Sequence, residues 1–172
     1  MKSRKTVFNI TIAGLFTAMI TVLTAYIAHI PFGGSGGYIH FGDSFIYLAA
    51  CLLPTPYAII ASALGASLAD LLTAPLWIIP TIVIKALISI PFTSKSKKII
   101  NKKNVISIFF AAVVTIIGYY LAEVVIVNFN WAAPLVSIPG SIIQAIGSGL
   151  IFVAIGFSLD KVNFKNNVMR RL

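Results

Sequence analysis

Five polar side chains stand within long apolar stretches of this sequence, and their chemistry most needs an explanation. They are Asp43, Asp70, Lys85, Glu123 and Gln144. A charge at the depth of a lipid bilayer costs at least about 2.5 kcal/mol, so such groups need a partner or a function. Acids, a base and an amide that converge in one place can hold a small polar molecule by charge and hydrogen bonds. The sequence therefore predicts a polar ligand-binding pocket.

Each of these residues also has a purely structural interpretation. Asp43 precedes an apolar run, which suits the N-cap of a helix. Lys85 could neutralise Asp70 or Glu123 as a structural ion pair. Gln144 could join two helices by a hydrogen bond. Both kinds of role stay open on the sequence alone.

Aromatic residues near the turns of the chain offer surfaces on which a planar ring could stack. The candidates are Tyr38, Trp77, Tyr119 and Trp131, although aromatic residues at such positions also form the belts found at membrane interfaces. His40 is either an interfacial residue or a ligand contact. No acid or cysteine stands at metal-site spacing from a histidine, so we expect neither a metal nor a cofactor.

The charges are few and unevenly placed, and this limits the class of protein. Thirteen basic and four acidic residues give a net charge of +9, with 59% apolar and only 10% charged residues. About a quarter of the residues are charged in soluble proteins. The composition excludes a cytosolic enzyme, a secreted disulfide scaffold and a disordered segment. The basic residues do not form a face on a folded surface, so we expect no nucleic-acid partner.

Twelve of the bases fall within three short segments, residues 2–5, 95–103 and 161–171. Basic segments that flank apolar runs are typical of cytoplasmic loops, and the runs between them have room for four and two membrane spans. The sequence predicts a single all-α domain over residues 1–172, a polytopic membrane protein with six transmembrane helices and both termini cytoplasmic. A basic cytoplasmic loop would cover residues 94–104, and a basic cytoplasmic tail residues 160–172.

Proline, glycine and polar clusters set the expected helix limits. The helices are predicted at about residues 7–30, 42–53, 57–72, 77–92, 105–127 and 134–159, and Pro80 should break or kink the fourth. The first apolar run is too long for a cleavable signal peptide. The glycine-rich outer loop, with Gly33, Gly34, Gly36 and Gly37, should be flexible.

Small residues recur at a spacing of four in the first helix, at Gly14 and Ala18, with Thr21 and Ala25 continuing the stripe. The third helix carries a similar set. Such spacing lets helices approach closely. Packing within the bundle and recruitment of a membrane partner use the same physics, and spacing does not separate them.

The sequence lacks the motifs that would supply energy or catalysis. It contains no phosphate-binding loop, zinc-protease helix motif or nucleophile elbow. We expect a binding protein that is not an enzyme and that takes its energy from another protein.

The order of these motifs resembles the substrate-binding membrane subunits (S components) of energy-coupling factor (ECF) vitamin transporters. The resemblance rests on the small-residue first helix, the glycine-rich loop, and the sequences at His40–Asp43, Gly65–Asp70, Pro80 with Lys85, Glu123, and Pro139 with Gln144. The most similar branch is assigned to hydroxymethylpyrimidine or pyridoxine-type precursors, and queuosine-precursor subunits are similar too.

The resemblance implies a six-helix subunit of the bacterial cell membrane that binds one small vitamin-like heteroaromatic molecule from outside. Residues 31–41 would gate the site, and Gly14 and Ala18 would dock on a transmembrane coupling subunit driven by two ATPase subunits. The expected ligand-binding residues are Tyr38, His40, Asp43, Asp70, Trp77, Lys85, Tyr119, Glu123 and Gln144. A stand-alone solute carrier and a structural membrane protein without a ligand are the alternatives.

Overall fold

The structure is a computed structural model that describes residues 2–27, 29–33 and 35–169. Its helices are α1 (Lys2–Ala25), α2 (Asp43–Leu52), α3 (Thr55–Thr73), α4 (Ile78–Ser89), α5 (Lys102–Ile126), α6 (Ile138–Lys161) and α7 (Phe164–Met169). Strands β1 (Ile30–Pro31) and β2 (Tyr38–Ile39) form an antiparallel hairpin between α1 and α2. Short 3₁₀ turns, Pro75–Trp77 and Ala133–Ser137, lead into α4 and α6.

The all-α prediction is confirmed, and six of the helices lie close to their expected positions. The first helix ends at Ala25 rather than near residue 30, because the chain leaves the helix to form the hairpin. Neither the hairpin nor α7 was predicted. The helix is not broken at Pro80, because Pro80 lies in the first turn of α4, where its missing N–H has no helical acceptor in any case. A kink there stays a prediction.

Four helical segments are long and apolar enough to cross a membrane: Ser3–Ala25, Thr55–Thr73, Lys102–Ile126 and Ala133–Lys161. Two further apolar helices, Asp43–Leu52 and Pro75–Ser89, are shorter. With ten residues, α2 is only about 15 Å long. Large apolar side chains such as Phe109 and Ile79 point outward, as they do in proteins surrounded by lipid. The number of spans therefore stays a prediction.

The small residues of α1 have two different surroundings. Near the middle of the helix, Thr21 donates its hydroxyl hydrogen to the Gly65 carbonyl oxygen of α3 at 2.8 Å. A Cβ atom on Gly65 would lie 2.9 Å from the Ile20 Cβ, so the glycine is what allows α1 and α3 to pack this closely. By contrast, Gly14 has no neighbour within 4 Å of a Cβ position, and Ala18 is exposed. The small residues of α1 therefore do not share one role. Thr21 takes part in a contact inside the bundle, whereas Gly14 and Ala18 lie on an open surface.

Polar contacts hold together the segments at one end of the bundle. The Asp160 carboxylate accepts hydrogen bonds from the backbone N–H groups of Ile99 and Ile100 at 2.8 and 2.9 Å, which ties the loop before α5 to the end of α6. Buried Asn104 accepts a further bond from the Thr93 N–H at 2.8 Å. The basic segments around residues 95–103 and 161–165 therefore share one end of the bundle, called here the basic end. The opposite end, called the cavity end, carries the hairpin.

Candidate ligand-binding site

A narrow cavity of about 60 Å³ lies at the cavity end, between the helices and the hairpin. Side chains from α1, α3, α4, α5 and α6 form its walls, and residues 32 and 37–40 form its roof. Eight of the nine residues predicted to bind a ligand line it: Tyr38, His40, Asp70, Trp77, Lys85, Tyr119, Glu123 and Gln144. The fold thus brings residues that are up to about a hundred positions apart to one place.

The ninth predicted residue, Asp43, is absent from the cavity wall and pairs with Lys85. The Lys85 Nζ lies 2.7 and 2.9 Å from the two carboxylate oxygens of Asp43, and both side chains have no exposed surface. Gln144 adds a bond from its Nε2 to Asp43 Oδ2 at 3.2 Å. This buried group joins α2, α4 and α6 and forms the floor of the cavity.

Two structural expectations for these residues were wrong. Asp43 does not cap α2: it is the first residue of the helix, its N-cap is Gly42, and no side-chain bond caps the helix. Lys85 neutralises Asp43 rather than Asp70 or Glu123. The physical reason is that α2 begins directly beside the middle of α4, so its first carboxylate reaches the buried ammonium.

His40 was expected to be interfacial or to contact a ligand; it lines the cavity but is only 4% exposed. Its Nδ1 accepts a hydrogen bond from the Gly42 N–H at 3.1 Å, and its own N–H donates to Gln144 Oε1 at 3.3 Å. Burial lowers the pKa of the imidazole to about 3. The ring is therefore neutral at physiological pH and adds no positive charge to the site.

The roof of the cavity is the hairpin, and residues 30–40 are called here the lid. Ile30 pairs with Ile39 and Pro31 with Tyr38. The turn between the strands uses glycines in left-handed conformations, with φ of +86° at Gly33 and +70° at Gly36. Glycine adopts such angles without the strain that a side chain would cause. Of the four glycines predicted to give the loop mobility, Gly34 lies outside the described residues.

Side-chain hydrogen bonds hold the lid against the bundle. The Tyr38 hydroxyl donates to Asp70 Oδ1 of α3 at 2.5 Å, and the Ser35 hydroxyl donates to Glu123 Oε1 of α5 at 2.7 Å. The Trp77 indole N–H donates to the Ser35 carbonyl oxygen at 3.3 Å. These bonds link the lid to three different segments of the bundle and hold it over the cavity.

An aromatic contact also seats the lid on α6. The Phe32 ring occupies the space that a Cβ atom on Gly140 would need. Further along the same helix, the Phe41 ring occupies the space that a Cβ atom on Gly147 would need. Glycine at these positions therefore leaves room for the two aromatic rings that flank the roof of the cavity.

The aromatic wall of the cavity consists of Trp77 and Tyr119, whose rings meet edge to face with centroids 5.7 Å apart. The Tyr119 hydroxyl lies 3.0 Å from the Thr81 hydroxyl. The Lys85 ammonium lies 5.0 Å from the centre of the Tyr119 ring, within the range of a cation–π contact. Trp131, a further stacking candidate, does not line the cavity and is 58% exposed.

Several cavity residues were not predicted from the sequence. They are Thr24, Ala66, Thr81, Ser137, Gly140 and Ser141, whereas Phe32, Gly37 and Ile39 belong to the loop that was predicted to gate the site. Helical spacing was a signal for some of them, because residues four apart share a face. Ser141 precedes Gln144 by three residues on α6, Ser137 lies four residues before Ser141 at the end of the 3₁₀ turn, and Thr81 lies four residues before Lys85. Phe32 lies in the predicted gating loop, but its place in the cavity wall depends on the hairpin.

Comparison with known proteins places the chain in a family. Residues 4–161 match the family described as ECF-type riboflavin transporter, S component. The chain belongs to this family. S components are the substrate-binding subunits of transporters and are not themselves enzymes. The chain is accordingly a multi-pass cell-membrane protein with a small-molecule substrate and an ECF module as partner.

One relative of this S component is described as "Uncharacterized protein in gap 3'region" from Pyrococcus woesei. It is 28% identical over 140 residues, which cover 81% of this chain and 93% of that protein. No solved structure matches. The resemblance to S components drawn from the sequence is confirmed, whereas the hydroxymethylpyrimidine or pyridoxine branch stays a prediction.

Proposed function

We propose that this S component binds one small heteroaromatic vitamin or vitamin precursor, such as pyridoxine or hydroxymethylpyrimidine, in the cavity beneath the lid, and that it supplies this ligand to an ECF transporter for uptake. The observation that carries the proposal is the convergence of eight polar and aromatic residues around one cavity at the cavity end. Aromatic walls with a few fixed polar groups are typical of sites for planar ligands.

The small volume of the cavity favours a ligand with one or two rings over a larger one. The cavity has a volume of about 60 Å³, and the rings of Phe32, Tyr38, Trp77 and Tyr119 contribute to its lining. Riboflavin, after which the family is named, has three fused rings and a sugar-alcohol chain, and would require a larger displacement of these rings. A queuosine precursor, with two fused rings, is the alternative of intermediate size.

The proposal includes the membrane arrangement expected from the sequence: six spans, both termini cytoplasmic, and the cavity facing outward. The support is the position of the basic segments, because Asp160 holds residues 99 and 100 at the end of α6, opposite the cavity. The loop at residues 94–104 and the tail at residues 160–172, of which residues 170–172 lie outside the described part, would then be cytoplasmic.

The proposal also includes a gate and a docking surface. Residues 31–41 would open and close over the ligand, since the lid is joined to the bundle mainly by a few side-chain bonds. Gly14 and Ala18 would contact a transmembrane coupling subunit that two ATPase subunits drive, since both positions are open on the surface of α1.

The first experiment identifies the ligand. We expect mass spectrometry of the purified full chain to detect a co-purifying heteroaromatic molecule, and the same compound to raise the melting temperature in a panel that includes riboflavin, pyridoxine, hydroxymethylpyrimidine and deazaguanine precursors. Gly140→Leu should abolish this stabilisation, because its side chain would collide with Phe32. Ala154→Leu, on an exposed face of α6, is the matched control. Stabilisation by no compound would contradict the proposed function.

A further inference from the structure

The charges around the cavity do not balance. Asp70 and Glu123 both line it, and the basic residue on its wall, Lys85, is already paired with Asp43 at 2.7 Å. Within the described part of the chain, no Lys or Arg lies at salt-bridge distance from Asp70 or Glu123. His40 is neutral for the reason given above. When both carboxylates are ionised, the cavity carries two formal negative charges that no ion pair with a described Lys or Arg neutralises.

One of these acids has an oxygen atom with no partner. Asp70 is 3% exposed, and its Oδ1 accepts the bond from Tyr38. Its Oδ2 is buried and has no hydrogen-bond partner among the described residues. A buried acceptor left without a donor costs about 1–3 kcal/mol, and more when it is charged. A hydrogen-bond donor on a bound molecule would satisfy this atom.

A second unpartnered group lies on the same cavity wall. The Thr24 hydroxyl oxygen at the end of α1 is buried and has no hydrogen-bond partner in the described part of the chain, and Thr24 is 1% exposed. A hydroxyl can accept or donate a hydrogen bond, so it can complement the same polar ligand group or a neighbouring one. Among the described residues, the donor to the Glu123 carboxylate is a neutral hydroxyl, that of Ser35.

We propose that the ligand of this S component carries a protonated aliphatic amine, and that Asp70 and Glu123 select it by accepting its N–H bonds. This inference rests on the proposed function and narrows its substrate class. A positively charged nitrogen supplies the missing donor to Asp70 Oδ2 and balances part of the uncompensated charge. A site built to receive a donor rejects the analogue that lacks it, because its buried acceptor is then left unpaired.

The test uses pairs of probes that differ in the nitrogen group. Pyridoxamine is compared with pyridoxine, and 7-aminomethyl-7-deazaguanine with 7-cyano-7-deazaguanine, by calorimetry on the purified full chain. In the pair that fits the cavity, we expect the amine to bind at least about tenfold more tightly. This factor corresponds to about 1.4 kcal/mol of binding free energy. Asp70→Asn and Glu123→Gln should each reduce this preference by about threefold or more. Asp160→Asn, at the basic end, removes an acid away from the cavity and should keep the preference.

The outcomes separate this inference from the proposed function. If the members without the aliphatic amine bind as tightly as the amines, or if Asp70→Asn and Glu123→Gln both keep the amine preference, the selection of an amine is wrong while ligand binding stands. If no heteroaromatic compound binds the wild-type chain, the proposed function and this inference are both wrong.

Discussion

The Tyr38 hydroxyl donates to Asp70 Oδ1 at 2.5 Å, and this bond joins the lid to α3 inside the cavity. The other oxygen of the same carboxylate is buried and has no hydrogen-bond partner among the described residues. Under the two proposals above, closure of the lid and recognition of a ligand nitrogen would converge on this residue. This arrangement would let a bound ligand and a closed lid stabilise each other.

We expect Tyr38→Phe to release the ligand about tenfold faster with little change in melting temperature. A hydrogen bond to a charged group contributes about 1.5–3 kcal/mol, and this one forms only when the lid is closed. Stopped-flow displacement of the bound ligand measures the rate. Tyr26→Phe is the matched control, because Tyr26 is 67% exposed outside the cavity. An unchanged dissociation rate in Tyr38→Phe would show that this bond does not hold the lid.

The buried pair beneath the cavity predicts an effect on stability in addition to any effect on binding. Lys85→Met should lower the free energy of unfolding by about 3–5 kcal/mol, because it leaves the Asp43 carboxylate buried without its cation. The double variant Asp43→Asn/Lys85→Met should recover most of this loss, since no unpaired charge remains. Thermal unfolding in detergent distinguishes the two variants. Additive losses in the double variant would contradict a structural ion pair.

The buried imidazole of His40 predicts a pH dependence of stability. Burial lowers its pKa from 6.5 to about 3. Below pH 6.5 the unfolded chain takes up a proton that the folded chain does not, so stability is lost as the pH falls. The loss should reach about 1.4 kcal/mol at pH 5.5.

A single substitution isolates this contribution. His40→Asn can still accept the Gly42 N–H in a local turn, but it cannot be protonated. We expect the difference in melting temperature between the wild type and this variant to change between pH 7 and 5.5, with the wild type losing more. A difference that is independent of pH would mean that the imidazole is not kept neutral in the folded protein.

The open part of the α1 stripe predicts a defect in transport that leaves binding intact. Gly14→Leu and Ala18→Leu place bulk on a surface where a Gly14 Cβ atom would meet no neighbour within 4 Å. Ligand affinity should stay within about twofold of the wild type, whereas uptake with an ECF module should fall at least tenfold. Ala154→Leu on α6 is the control for added bulk on an exposed helix face. Normal uptake in both α1 variants would place the docking surface elsewhere.

The helices and most of the candidate site could be predicted from the sequence, because burying charged groups in apolar surroundings costs free energy. Charges such as Asp70, Lys85 and Glu123 are too costly in apolar surroundings unless they share a polar place, and helical spacing brought them to one end. The partner of Lys85 could not be predicted in the same way. It depends on the lateral position of α2 beside α4, which hydropathy does not encode. The contact between Phe32 and Gly140 could not be predicted either, because it depends on a hairpin of only two residues per strand.

The most direct test of the central claim is uptake of the identified ligand into proteoliposomes, with labelled ligand outside and ATP inside. The account predicts that the chain alone binds the ligand without accumulating it, and that accumulation requires an ECF module and ATP hydrolysis. In that assay Gly140→Leu should be inactive with the module present, and Ala154→Leu should be active. Accumulation by the chain alone, without a module or ATP, would contradict the account and identify a stand-alone carrier.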